Sequence, residues 1–126
     1  MPGKDDQIRR KHERIRVQPM YTSVIARCLG QDDDLEMLGH IYDVSEGGVR
    51  IELDEALEPG RTVTLQLEFP GTAAAIQASA SVVWVHDDQD DPGPRRMALR
   101  FTEFTSTPDR LRLVDYIERE RGRRAA

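Results

Sequence analysis

Two short stretches of this 126-residue chain carry side chains whose types and spacing suit the capture of an anion. The first is Arg9-Arg10-Lys11-His12-Glu13-Arg14, with Arg16 just after it. An arginine stays charged, offers five N–H donors in a planar fork and stacks on flat rings. Arg10 and Arg14, four residues apart on an extended segment, can therefore close over opposite sides of a ligand. On a helix the same spacing puts both on one face. The second stretch is Asp43-Val44-Ser45-Glu46-Gly47-Gly48. Asp43 can accept hydrogen bonds from the edge of a base or from an arginine, and the Ser45 hydroxyl can donate to a phosphate oxygen or hold the turn together. Gly47 and Gly48 are read as permitting positive φ and the close approach of a ligand to the backbone. Taken alone, each stretch has a plainer explanation. The first can be an exposed basic tail, and the second an ordinary hairpin turn whose aspartate and serine cap their own backbone.

Other chemistry finds less support. His12, His40 and His86 are far apart and match no metal-ligand spacing, and exposed histidines account for His12 and His86. Cys28 is single and sits in an apolar strand pattern, where a cysteine behaves as a small hydrophobe, so neither a disulfide nor a redox pair is available. The acidic runs Asp32-Asp33-Asp34 and Asp87, Asp88, Asp90 and Asp91 fall in loops and lack the ligand order of a calcium-binding loop. No Walker loop or dinucleotide fingerprint is present. A binding module rather than an enzyme is expected, without a metal or a cofactor.

Composition narrows the class of ligand. The formal net charge is -5, which disfavours a long polyanion such as nucleic acid, while the local excess of arginine before residue 17 suits a small anion. At 38% hydrophobic and 33% charged, the chain reads as a folded, well-solvated domain. Its longest apolar runs fall far short of the ~20 residues that span a bilayer, and the first residues lack the apolar core of a secretory signal. A cytoplasmic location without membrane insertion is the expectation.

The elements that must position these residues are mostly strands. A polar tail over 1–8 gives way at Ile15 to an apolar pattern reaching residue 29, where Pro19 argues for an edge strand or a bulge. A strand from about Met37 to Val44 ends at the Ser45–Gly48 turn. Val49, Ile51 and Leu53 then alternate with Arg50, Glu52 and Asp54, as a half-buried strand requires. Pro59-Gly60 and Pro70-Gly71 bracket a further alternating strand with Val63, Leu65, Leu67 and Phe69 inward. A long strand over Ile76–Val85 places Ala78, Ala80, Val82 and Trp84 on one face, and Met97, Leu99 and Phe101 form the last strand. Pro108 opens an amphipathic helix with Leu111, Val114, Ile117 and Arg121 on its stripe, and a tail follows from Gly122 to Ala126. Six short antiparallel strands with one terminal helix predict a small β-barrel, which also removes exposed sheet edges. The expected division is a tail over 1–8, a barrel domain with its helix over 9–121, and a tail over 122–126.

The order of the motifs, Arg-x-x-x-Arg and then Asp-x-Ser-x-x-Gly at a strand junction, resembles the PilZ domain family. Val82-Val83-Trp84-Val85 and Met97-Ala98-Leu99-Arg100-Phe101 resemble later strands of that family, so the likeness runs from about Arg9 to Glu120. It implies a six-stranded barrel acting as a receptor for cyclic di-GMP in bacterial second-messenger signalling. The ligand arginines would be Arg10 and Arg14, the polar pair Asp43 and Ser45, and the ligand-facing glycine Gly48 with Gly47 in support. Arg9, just before the first motif arginine, is compatible with two intercalated ligand molecules. Ala98 departs from the glycine often found in the family's last strand. The implied mechanism wraps a loose leader, residues 1–14, over the ligand and presents the result to a downstream effector protein.

Overall fold

The computed structural model describes residues 14–28, 35–72, 74–86 and 95–125. Among these residues, seven strands form one antiparallel sheet: β1 (Ile15–Arg16), β2 (Ser23–Cys28), β3 (Leu35–Val44), β4 (Gly48–Leu53), β5 (Thr62–Glu68), β6 (Ile76–His86) and β7 (Arg95–Phe104). Going round, β3 pairs with β2, β2 with β5, β5 with β6, β6 with β7, β7 with β4, and β4 returns to β3, so β2 to β7 close into a six-stranded barrel. The ten-residue β3 makes closure possible. Its first half pairs with β2 along one edge, its second half pairs with β4 along the other, and β1 takes over the vacated stretch of the first edge through Ile15–Val44 and Arg16–Asp43.

Pro19 acts differently from the expected edge strand or bulge. Residues Pro19–Tyr21 form a single 3-10 turn that divides the apolar run into β1 and β2. Thr22, buried, locks the turn in place: its hydroxyl oxygen accepts the Ile41 N–H at 3.0 Å and lies 3.1 Å from the Pro19 carbonyl. The two Pro-Gly turns form as their chemistry dictates. Arg61 N–H reaches Glu58 O and Thr72 N–H reaches Phe69 O, with Gly60 at φ 87° and Gly71 at φ 81° in the third position of each turn.

Alternation fills the barrel. Val49, Ile51 and Leu53 from β4, Val63, Leu65 and Leu67 from β5, and Ala78, Ala80 and Val82 from β6 are buried within it. Trp84 breaks the expected pattern. The pairing of β6 with β7 shifts between Val82–Leu99 and Trp84–Ala98, so Val83 is an extra residue and Trp84 turns outward, 40% exposed.

Helix α1 (Thr107–Ala125) continues past Gly122, where the tail was expected to start. Its buried apolar positions among the described side chains are Leu113, Tyr116 and Ile117, whereas Leu111 of the expected stripe is exposed and Val114 half-buried. The offset follows from how the helix begins. Ser106 Oγ accepts the Asp109 N–H and donates to its carboxylate, and the same carboxylate accepts the Gln77 N–H of β6 at 3.0 Å. That staple sets the rotation of the helix. It seats Tyr116 on Phe69, with ring centroids 4.3 Å apart, and each large apolar residue it buries contributes roughly 1.5–3 kcal/mol.

Candidate ligand-binding site

Asp43 lies next to the end of β3, where strict alternation from the inward Ile41 would point its carboxylate into the barrel. A shift in register between Ile41–Ile51 and Asp43–Arg50 inserts Tyr42 as an extra residue. Asp43 thereby shares the outer face with Arg50, while Val44 drops into the core opposite Val49. One bulge thus avoids burying a charge and keeps the apolar lining intact.

Asp43 is buried, its side chain only 12% exposed, and two cations compensate the carboxylate. Arg14 Nη1 donates to Oδ1 at 2.6 Å, and Arg50 Nη1 lies 3.5 Å from Oδ2. The Arg50 guanidinium also lies over the Trp84 ring, 5.7 Å from its centroid. These contacts follow one cross-strand row on the outside of the barrel: Asp43 pairs with Arg50, Arg50 with Ala98 and Ala98 with Trp84. Ala98, 5% exposed, is the small residue between the arginine and the indole. On the same face, Arg96 stacks on Tyr42 at 4.5 Å.

The Ser45–Gly48 turn is tightly self-bonded. Ser45 N–H donates to Gly48 O at 2.8 Å, Gly47 N–H donates to Ser45 Oγ at 3.2 Å, and Phe101 N–H of β7 donates to Gly47 O at 2.9 Å. Ser45 is 2% exposed, so its hydroxyl serves the turn. The glycines are not explained by positive φ, which among the described residues is confined to Gly60 and Gly71. Gly48 is required by packing instead: a Cβ there would sit 2.4 Å from Leu99 O of the neighbouring strand.

Of the residues singled out in the sequence, Arg14, Asp43, Ser45, Gly47 and Gly48 therefore meet at the junction of β1, β3 and β4. Arg9 and Arg10, like His12 and the acidic runs at 32–34 and 87–91, lie outside the described residues. Sequence reasoning missed Arg50, Tyr42, Arg96 and the outward face of Trp84. Arg50 was legible as an outward position in an alternating strand. The other three depend on the bulges and on register, and no local signal announces those. Among the described residues, no three metal-ligating side chains gather into a site. The arrangement offers charge-assisted donors, one shielded carboxylate and an exposed indole, which suits binding of an anion that carries flat rings.

The barrel and its helix resemble several solved structures. An inhibitor of motility from Bacillus subtilis (MotI/DgrA) superposes with a TM-score of 0.65 at 23% identity, covering 90% of this chain and 51% of that one. The PilZ domain of YcgR from Escherichia coli, solved with c-di-GMP, gives 0.63 at 21% identity over 93% of this chain and 97% of that one. MrkH of K. pneumonia, solved with c-di-GMP, gives 0.64 at 18% identity over 86% and 51%. The chain thus spans about half the length of the motility inhibitor and of MrkH, and nearly all of the isolated YcgR domain. No curated protein matches it in sequence. The family model for the PilZ domain matches residues 8–119, nearly the whole chain, and the protein belongs to the PilZ domain family.

Proposed function

We propose that this chain is a non-enzymatic receptor for cyclic di-GMP. The ligand is held between the arginines of the N-terminal leader and the outer face that carries Asp43, Arg50 and Trp84. The observation that carries the reading is the Asp43 carboxylate, turned to the outer face of the sheet by a bulge and bracketed by Arg14 and Arg50. A guanine presents two neighbouring N–H donors on one edge, and a carboxylate accepts both. The same molecule carries two phosphodiesters for the guanidinium groups, and its bases can stack on the Trp84 indole or on an arginine. YcgR and MrkH, which share the fold, were solved with this ligand.

In this reading, Arg9, Arg10 and Arg14 close over the phosphates and bases while the Ser45–Gly48 turn keeps Asp43 in place. The ion pair between Arg14 and Asp43 is the contact that must be rearranged, because both groups are needed by the ligand. Its release reorders the leader, and the new surface relays the messenger level to a downstream effector protein. Ordering the leader offsets part of the ~1.5–3 kcal/mol that each charge-assisted bond contributes.

Calorimetric titration with cyclic di-GMP tests the proposal. Saturable binding is expected, weakened by about tenfold or more in Arg14→Ala, a change of about 1.4 kcal/mol. No heat of binding in the wild-type protein would instead favour a PilZ barrel that docks another protein without the nucleotide.

A further inference from the structure

Beyond Arg14, Arg50 and Arg96, strand β7 presents a further arginine outward. Arg100 lies on β7, exposed, opposite Gly48 of β4 on one side and Ser81 of β6 on the other. It is two residues along the strand from Ala98, so it projects to the same face as the row from Asp43 to Trp84. The other three are engaged: Arg14 and Arg50 on Asp43, Arg50 also over Trp84, and Arg96 on Tyr42. Arg100 makes no ion pair with any described residue.

Its position matters because of what the adjoining turn lacks. The Ser45 hydroxyl is buried, accepts the Gly47 N–H and turns its own O–H toward the Gly48 carbonyl, 3.5 Å away, while the Gly47 carbonyl accepts from β7 and that of Gly48 from the Ser45 N–H. An anionic group arriving over Gly48 meets no side chain from that residue and no free donor from the serine. The nearest cation in register is Arg100, directly across the strand pair. We infer that Arg100 is a phosphate-binding residue of this site, reaching one phosphodiester from β7 while Arg14 stands beside Asp43 on the other side of the turn. The inference rests on the cyclic di-GMP reading above and adds a residue outside the two motifs that first drew attention.

The test is a set of calorimetric titrations with cyclic di-GMP on the whole chain, with phosphorus spectra of the bound ligand. Arg100→Ala is expected to bind about tenfold or more weakly and to shift a phosphorus resonance of the bound ligand, while melting at the wild-type temperature. Arg100→Lys keeps the charge but loses the fork, and is expected to recover part of the affinity. Arg110→Ala, which removes an exposed arginine on α1, should bind as the wild type does. Wild-type affinity in Arg100→Ala would overturn the assignment, as would weaker binding with unmoved phosphorus signals. A wild-type chain that fails to bind at all would overturn the receptor reading and this inference with it, which is a different result from either.

Discussion

Strand β5 pairs with β2 and β6 residue for residue, whereas β3 and β6 each carry an extra residue where they pair with β4 and β7. On the β5 side, alternation sorts every side chain to one of two faces. Val63, Leu65 and Leu67 go in and the polar residues between them go out. The charges there remain ordinary surface charges, as in the Arg27–Glu36 pair between β2 and β3, where both side chains are about half exposed. On the other side, the bulges at Tyr42 and Val83 change which residues face out without disturbing what lines the core. They bring Asp43 and Trp84 to the two ends of one row, with Arg50 spanning the gap. Regular pairing can build a core with a solvated exterior. Placing a carboxylate and an indole on the same outer row takes a departure from it.

The largest expected effect lies on the regular side. Leu65 is fully buried at the centre of β5, and Leu65→Ala removes three carbons from a closely packed interior. A loss of about 2–5 kcal/mol in urea denaturation is expected. The fraction that stays folded should keep its affinity for cyclic di-GMP, because β5 carries no residue of the proposed site. An affinity that fell with stability would show the two sides to be coupled and would break the comparison.

Gly48→Ala is expected to come next. The added methyl meets the Leu99 carbonyl oxygen at 2.4 Å, and both atoms belong to paired strands, so β4 and β7 must part. A cost of about 1–3 kcal/mol is expected, read by the same denaturation experiment. Unlike Leu65→Ala, this variant should also lose ligand affinity, since it displaces the turn that holds Asp43 and the strand that holds Arg100.

How much of this was legible in the sequence follows the same division. The barrel could be read because β4 and β5 alternate cleanly and because Pro59-Gly60 and Pro70-Gly71 specify their turns. The two motifs could be read because arginine, aspartate and glycine at those spacings have a chemical purpose. Trp84 falls on one face with Ala78, Ala80 and Val82 by period-two counting, which has no means of registering the extra Val83. The helix stripe was misplaced for a related reason. Leu111, Val114 and Ile117 fit helical spacing as well as Leu113, Tyr116 and Ile117 do, and only the staple from Asp109 to Gln77 chooses between them. Positive φ was the wrong expectation for Gly48, and the packing reason for it, the proximity of Leu99 O, depends on a strand about fifty residues away. In each case the missing information was a long-range pairing.

The smallest effect expected comes from an ion pair that resembles the Arg14–Asp43 pair on paper. Arg27 Nε lies 3.1 Å from Glu36, against 2.6 Å for Arg14 and Asp43. The difference is in exposure: the Glu36 side chain is 57% exposed and that of Asp43 only 12%. An exposed pair gains little from Coulomb attraction in water and loses side-chain freedom, so Arg27→Ala should change stability by no more than about 0.5 kcal/mol and leave ligand affinity at the wild-type value. Arg14→Ala, which strips one of two cations from a shielded carboxylate, should be felt in both measurements. If Arg27→Ala and Arg14→Ala changed affinity equally, bulk positive charge rather than the placement of Asp43 by its bulge would govern binding. A salt titration would then show the same slope for both variants.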